Sequence, residues 1–471
     1  MSELLWSGDA VALVELLRTR QVTPQEVLDS FEARVSAVDP QVNALPTLCF
    51  ERARNELATR SAWHELPLGG LPVPIKDSYP VAGVRTTFGS RVFENHVPER
   101  SDFLVEAIEA SGGVVFAKSN TPEFEAGANT FNDVFGRTLN PWDTRLSPAG
   151  SSGGAAVAVA TGMAAIAQGS DFACSLRYPA AFCGIVGLRP SPGLVPQGPG
   201  GVPGQTLSVI GPLARNVADV GLGLAAMARF DARDPLSRPL PATDFAAAAR
   251  RPERPSRLAF SADLGVADID PEIRHVVTAA VEKLAGAGID VRRASPDLAA
   301  ADVSFRTLRA HQFAAARADL LDGPARAMLK PEVVWNIEQG LKLTSAEISA
   351  AVRGQARSRA GMIAFLDEHE FLLSATAPVA AYPVEERYVS EIAGRALATY
   401  LDWLVLGYAI TITGCPAISI PCGLTRAGLP VGLQLVGRPY SEARLLAVAA
   451  ACEEVLGCRM ARPIDPVSVP S

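Results

Sequence analysis

Lysine and histidine are both scarce in this chain of 471 residues. Each occurs five times, and the lysines are Lys76, Lys118, Lys283, Lys330 and Lys342. Arginine therefore supplies nearly all of the 43 cations, against 50 acids, for a net charge of -7. No basic field invites nucleic acid or an anionic membrane. Seven cysteines occur, none in a Cys-x-x-Cys pair, which excludes zinc ribbons and thioredoxin-type redox sites. No cluster of His, Cys, Asp and Glu has metal spacing, so no metal and no other cofactor is expected. No P-loop is present, and the glycine-rich run Gly198-Pro199-Gly200-Gly201 is broken by proline. Long hydrophobic runs are missing too. The uncharged stretches 146–170 and 403–425 are interrupted by Gly, Pro, Ser and Thr and read as buried core, not membrane spans. Met1-Ser2-Glu3-Leu4-Leu5 lacks the cationic flank of a signal peptide. A cytoplasmic location is expected.

What is present is an ordinary globular composition, 48% apolar and 20% charged. That rules out a disordered, collagen-like or coiled-coil chain. Length alone suggests about three domains. No boundary is sharp and no repeat is visible, so a single domain over 1–471 is expected. Thr23-Pro24-Gln25-Glu26 is a capping box. It opens a helix with Val27, Leu28, Phe31, Val35 and Val38 on one face, ending near Asp39-Pro40. Helices are also predicted over 102–111, 217–228, 271–286 and 441–456, and 302–368 is almost entirely helical in composition. Strands are predicted at 71–75, 114–117, 207–210, 257–261, 289–293, 371–377, 417–421 and 431–436. Prolines place 71–75 at a sheet edge or end. Residues 232–255 read as a surface connection. Strands spaced by helices argue for an α/β fold with a large mixed, mainly parallel central sheet, covered by helices on both faces.

Two hydrolase patterns compete around residue 150. Gly150-Ser151-Ser152-Gly153-Gly154 fits the Gly-x-Ser-x-Gly elbow of an α/β-hydrolase, with Ser152 as nucleophile. That reading needs a strand before the serine and a histidine after it. Arg145-Leu146-Ser147-Pro148-Ala149 is no strand, and His275, His311 and His369 have no motif around them. The stronger pattern needs no histidine. It joins Pro74-Ile75-Lys76-Asp77, the glycine–serine run at 149–154, and Gly169 to Arg177 around Ser175. Ser175 follows Ser151 by twenty-four residues. A helix of about ten residues runs roughly 15 Å out, and a strand of about six runs roughly 20 Å back. Ser175 can thus return to Ser151. A serine hydroxyl needs a base, and Lys76 is the remaining candidate. Bringing a lysine from about 10.4 to about 7 by desolvation costs roughly 4–5 kcal/mol. Val73, Pro74 and Ile75 supply an apolar setting. The alternative is that Lys76 pairs with Asp77 or another acid.

The run from Gly150 to Pro190 resembles the amidase signature family of serine hydrolases. Ala149 to Ala155 matches its Gly-Gly-Ser-Ser-Gly-Gly-Ser pattern. Asp171 to Pro179 matches Asp-x-Gly-Gly-Ser-x-Arg-x-Pro, and Phe182 to Pro190 the following Phe-Cys-Gly motif. Gly70 to Asp77, Ala117 to Phe124, Gly414 to Pro421 and Gly428 to Gln434 match further family motifs. The resemblance covers nearly the whole chain. It implies a Ser–cisSer–Lys triad. Ser175 attacks the carbonyl, Ser151, after a cis Gly150–Ser151 bond, relays the proton, and Lys76 is the base. It implies an oxyanion hole from the backbone N–H groups of Phe172, Ala173, Cys174 and Ser175. Ser152, Ser170, Asp171 and Arg177 are read as supporting partners, and Lys118 as an ion-pair residue. Asn129, Thr130, Phe172 and Tyr178 are assigned to the substrate pocket.

Departures from the family pattern are Ala173-Cys174 for Gly-Gly, Phe172 for a small polar residue, and Ala155 for Ser. The Cβ atoms at 173 and 174 would strain any position with φ > 0. The function implied is hydrolysis of carboxylic amides, apolar or aryl, extending to esters and carbamates, through an acyl-serine. Residues 65–220 form the expected catalytic core, and the helical region 300–370 shapes the pocket. Tyr178 stands where the glutamine-hydrolysing component of a tRNA-dependent amidotransferase has glutamine. A stand-alone enzyme, monomer or homodimer, acting on a small-molecule amide is therefore favoured over such a component. An α/β-hydrolase-type esterase and a catalytically silent binding protein are the alternatives of another class.

Overall fold

Capping chemistry starts the long N-terminal helix where the sequence predicts. The structure, a computed structural model, describes residues 2–239 and 243–468. The Glu26 N–H donates to Thr23 Oγ1 at 3.2 Å, and the Thr23 N–H donates to the Glu26 carboxylate at 2.8 Å. The helix, Pro24–Val42, does not stop at Asp39-Pro40. Pro40 sits in its last turn, and Asp39 Oδ1 accepts from the N–H groups of Ala44 and Leu45 at 2.7 and 3.0 Å. The chain beyond the proline is thereby held.

The large sheet has eight strands. Their order is Val291–Arg293, Leu258–Phe260, Phe371–Ala375, Pro430–Val436, Ala417–Leu424, Val186–Arg189, Val209–Ala214, Ile166–Asp171. The first three run parallel. The remaining five pairings are antiparallel. The sheet is mixed, as expected, but it is not mainly parallel. One unit, Leu258–Phe260 to Pro271–Gly286 to Val291–Arg293, is a true β–α–β crossover. Ala417–Leu424 and Pro430–Val436 form a hairpin instead. Strands buried on both faces carry the same apolar run in either direction, so composition does not fix their sense.

Helices cover both faces. Gln434 bonds to Arg177 of helix Arg177–Cys183, and a Cβ on Gly432 would lie 2.7 Å from Ala181 Cβ. Leu433 and Leu435 alternate to the other face. Helices Pro271–Gly286 and Glu442–Leu456 pack there. One hydrophobic cluster runs from Leu13 through Leu188 and Leu258 to Leu446. The segment 232–255 is not all surface. Helix Phe245–Ala249 packs so closely on Val217–Met227 that a Cβ on Gly221 would meet Ala249 Cβ at 2.3 Å.

A smaller sheet carries chemistry. Pro72–Lys76 pairs in parallel with Val114–Ser119, which also pairs with Thr47–Leu48. Pro72–Lys76 is the edge its prolines require. Its register shifts between Val73 and Ile75, at Pro74. No described helix is long and apolar enough to cross a membrane.

Candidate active site

The expected helix–strand return is present. Helix Gly153–Ala160 leads out and strand Ile166–Asp171 leads back. The helix contains only Gly, Ala and Val, and its start admits nothing larger. A Cβ on Gly154 would lie 2.4 Å from the Asn120 nitrogen and 2.6 Å from the Ala44 oxygen. The two serine segments meet where the Ser152 N–H donates to the Ser175 carbonyl at 3.2 Å. The Gly150–Ser151 peptide is cis.

Lys76 arrives at the end of its edge strand and is wholly buried. Its Nζ donates to Ser151 Oγ at 2.6 Å and to Ser170 Oγ at 2.9 Å. Glu125 Oε1 lies 2.7 Å from the same nitrogen. Burial holds the Lys76 amine below its ordinary value, and Glu125 works against that shift. Burial would raise the Glu125 carboxyl, but Lys76 and the Ser170 hydroxyl outweigh it and hold it low. Lys76 therefore does pair with an acid, as the alternative reading has it, but the acid is Glu125 and not Asp77. Lys118 Nζ lies 3.7 Å from Asp77 and donates to Thr86 Oγ1 at 2.8 Å. Burial lowers Lys118 to about 8. Glu125 escaped the sequence reading. The one signal available was an extra acid just after the matched run Ala117 to Phe124.

The loop before Ser175 is fixed by charge. Arg177 grips both oxygens of Asp171 at 2.9 Å, and Arg189 reaches Asp171 Oδ1 at 3.3 Å. Arg177 also donates to the Ala173 carbonyl at 2.8 Å and to Gln434 Oε1 at 2.6 Å. All three ionic groups are wholly buried, so each depends on the others. Neither Ala173 nor Cys174 has positive φ; Ala149 does, at 59°. The Cβ strain expected at 173–174 is therefore absent, and it falls at Ala149 instead. The Ser170 N–H donates to Ser152 Oγ, which donates to the Ser170 carbonyl, both at 3.2 Å. Wholly buried and tied to backbone, Ser152 has no elbow geometry. Exposure rises from Lys76 at 0% through Ser151 at 1% to Ser175 at 6%, so of these three side chains Ser175 is the one that solvent reaches most.

The sequence pattern of the Amidase family matches residues 26–446. The chain belongs to the Amidase family. This amidase is 33% identical to a glutamyl-tRNA(Gln) amidotransferase component of Moorella thermoacetica, over 96% of this chain and 97% of that protein. It is 32% identical to an acylamidase of Rhodococcus erythropolis, over 98% of each. A bacterial aryl acylamidase of the amidase signature enzymes has the same fold, with a TM-score of 0.89 at 24% identity over 96% of both chains. The chain is a hydrolase of carbon–nitrogen bonds in amides.

A cavity of about 520 Å³ opens beside the amidase's buried lysine. Glu125, which contacts Lys76, and Phe172, from the segment that carries Ser175, line it; Lys76, Ser151 and Ser175 do not. Phe88, Phe93, Phe124 and Phe313 line it further out. Of the four residues assigned to the substrate pocket, Phe172 lines this cavity. Asn129, Thr130 and Tyr178 do not line it. Asn129 and Thr130 are wholly buried and brace the turn before Ser151: Asn129 Oδ1 accepts from Ser147 Oγ at 2.7 Å, and Thr130 Oγ1 donates to the Ala149 carbonyl at 2.8 Å. Tyr178 is also buried, its hydroxyl donating to the Trp403 carbonyl at 3.1 Å. It carries no argument about the acyl group. From region 300–370, helix Ala301–Arg317 and the turn after it reach the cavity. Phe305 stands behind, edge-on to Phe172 at 6.0 Å.

Proposed function

We propose that this amidase hydrolyses small apolar and aryl amides and anilides, with esters and carbamates as further substrates, through an acyl-serine on Ser175. Ser175 Oγ attacks the carbonyl carbon. Its proton passes to Ser151 Oγ, whose own proton passes to Lys76 Nζ. The backbone N–H groups of Phe172, Ala173, Cys174 and Ser175 receive the oxyanion. The proton then returns along the chain to the leaving nitrogen, and water cleaves the acyl–oxygen bond. The observation that carries this reading is the 2.6 Å approach of Lys76 Nζ to Ser151 Oγ in a setting whose burial favours the neutral amine. The phenylalanines of the cavity support an aryl substrate. Asp171 and Arg177 serve as struts for the oxyanion loop. We place the enzyme in the cytoplasm, as a monomer or homodimer without a nucleic-acid partner; its seven unpaired cysteines suit a reducing compartment.

Peptide-mapped labelling with a fluorophosphonate tests the mechanism. Label is expected on Ser175 and is lost in Lys76→Ala. Label on Ser152 would sink it. Arylamine release from an anilide should exceed ammonia release from glutamine. The reverse order would favour the amidotransferase reading, since the 33% identity to that relative is no lower than the acylamidase's 32%.

A further inference from the structure

Glu125 is a carboxylate that the chain Ser175–Ser151–Lys76 leaves unused. Its Oε1 sits 2.7 Å from Lys76 Nζ and accepts from the Ser170 hydroxyl at 2.5 Å. Ser170 Oγ in turn accepts from Lys76 at 2.9 Å, so amine, hydroxyl and carboxylate close a triangle. The backbone is committed to this aim. Phe124 and Glu125 have φ of 44° and 64°, a left-handed pair that side-chain-bearing residues adopt only when the surroundings enforce it. Two bonds hold the pair: the Phe124 N–H to the Phe88 carbonyl and the Glu125 N–H to the Pro122 carbonyl, both at 2.9 Å. Glu123 has other partners, the Ser90 hydroxyl and the Lys330 N–H, each at 2.6 Å. One turn thus sorts two acids, one to structure and one to the lysine.

We infer that Glu125 is a positioning residue for the reaction, holding the Lys76 amine toward Ser151 and stabilising the ammonium that forms when Lys76 takes the proton. The inference rests on Lys76 being the base. No bond is made or broken at Glu125. The proton travels from Ser175 through Ser151 to Lys76 and returns to the leaving nitrogen, while the carboxylate stays ionised, as the aspartate does in a Ser-His-Asp triad.

The surrounding charges leave Glu125 as the dominant anion at Lys76. Asp171 and Cys174 also face the lysine. Asp171 is already met by Arg177 and Arg189, and the Cys174 thiol is pushed up by burial and stays neutral. Arg317 and Arg309 face Glu125 from helix Ala301–Arg317 and favour its ionised form. Tyr79 faces it as well and is neutral, its hydroxyl pushed up by burial.

The test is the pH profile of kcat/KM for Glu125→Gln, which keeps the shape and loses the charge. The acid limb should move to lower pH by about one unit or more, because an opposite charge at this distance raises a base's proton affinity by that much. The plateau should fall by about tenfold or more. A merely structural role lowers the plateau without moving the limb, so an unmoved limb in the folded variant overturns the inference. Should the Gln variant not fold, Glu125→Asp replaces it. Withdrawing the charge by one methylene again moves the limb down, by less, and an unmoved limb is again fatal. Lys76→Ala, assayed alongside, separates the two failures. Activity retained there removes the base itself. A silent Lys76→Ala with an unmoved Gln limb removes only the role of Glu125.

Discussion

At the residue scale, three polar groups converge on one amine: Ser151, Ser170 and Glu125 surround Lys76 Nζ. The amine must be neutral to accept a proton, and burial favours that form. Activity should therefore rise with pH through the Lys76 titration and not fall again as a carboxylic acid would demand; a kcat/KM profile from pH 5 to 10 checks this. Ser170→Ala removes one bond to Lys76 and one to Glu125. It should lower kcat by about tenfold, equivalent to about 1.4 kcal/mol, the worth of a hydrogen bond to a charged group, while Ser175 still takes label. The motifs made the convergence of the segments carrying Lys76, Ser151, Ser175, Asp171 and Arg177 legible, because their spacing lets a helix and a strand return one serine to the other. Asn129, Thr130 and Tyr178 lie near the motifs, yet their polar atoms are engaged in buried hydrogen bonds away from the cavity, because nearness in sequence does not say which way a side chain faces. Glu125 was missed because its partner lies far away in the chain, on another element.

At the element scale, helix Val405–Thr411 presses on the loop that carries Ser175. A Cβ on Gly407 would lie 2.4 Å from Cys174 Cβ and 2.5 Å from the Ala173 carbonyl oxygen. Gly407→Ala must push the proposed oxyanion loop aside. Overpacking of this kind costs about 1–3 kcal/mol, so the variant should fold, melt lower and lose at least about tenfold in kcat. Wild-type kcat in a folded Gly407→Ala protein would show that the loop does not form the oxyanion site. Element positions were mostly readable from periodicity and caps: Pro271–Gly286 and Phe371–Ala375 fall within the predicted spans. Strand direction was not. It depends on whether the chain turns back in a hairpin, as between Leu424 and Pro430, or crosses by a helix. Both cases look alike in apolar pattern.

At the scale of the whole molecule, the elements around Lys76 and the serines are tied to the C-terminal part of the chain. Strand Val186–Arg189 pairs with Ala417–Leu424, and Arg177 bonds to Gln434, more than 200 residues away in the chain. Residues 65–220 expressed alone should give no cooperative thermal transition, and limited proteolysis of the full chain should release no stable fragment of that span. A folded, protease-resistant 65–220 piece would mean two domains instead of one. The same enclosure governs the amines. Lys76, Lys118 and Lys330 are buried, whereas Lys283 and Lys342 are exposed and neither lines the cavity. A coupling reagent that seeks lysine amines meets those two side chains. The enzyme can be tethered to a support through them with Lys76 left unmodified.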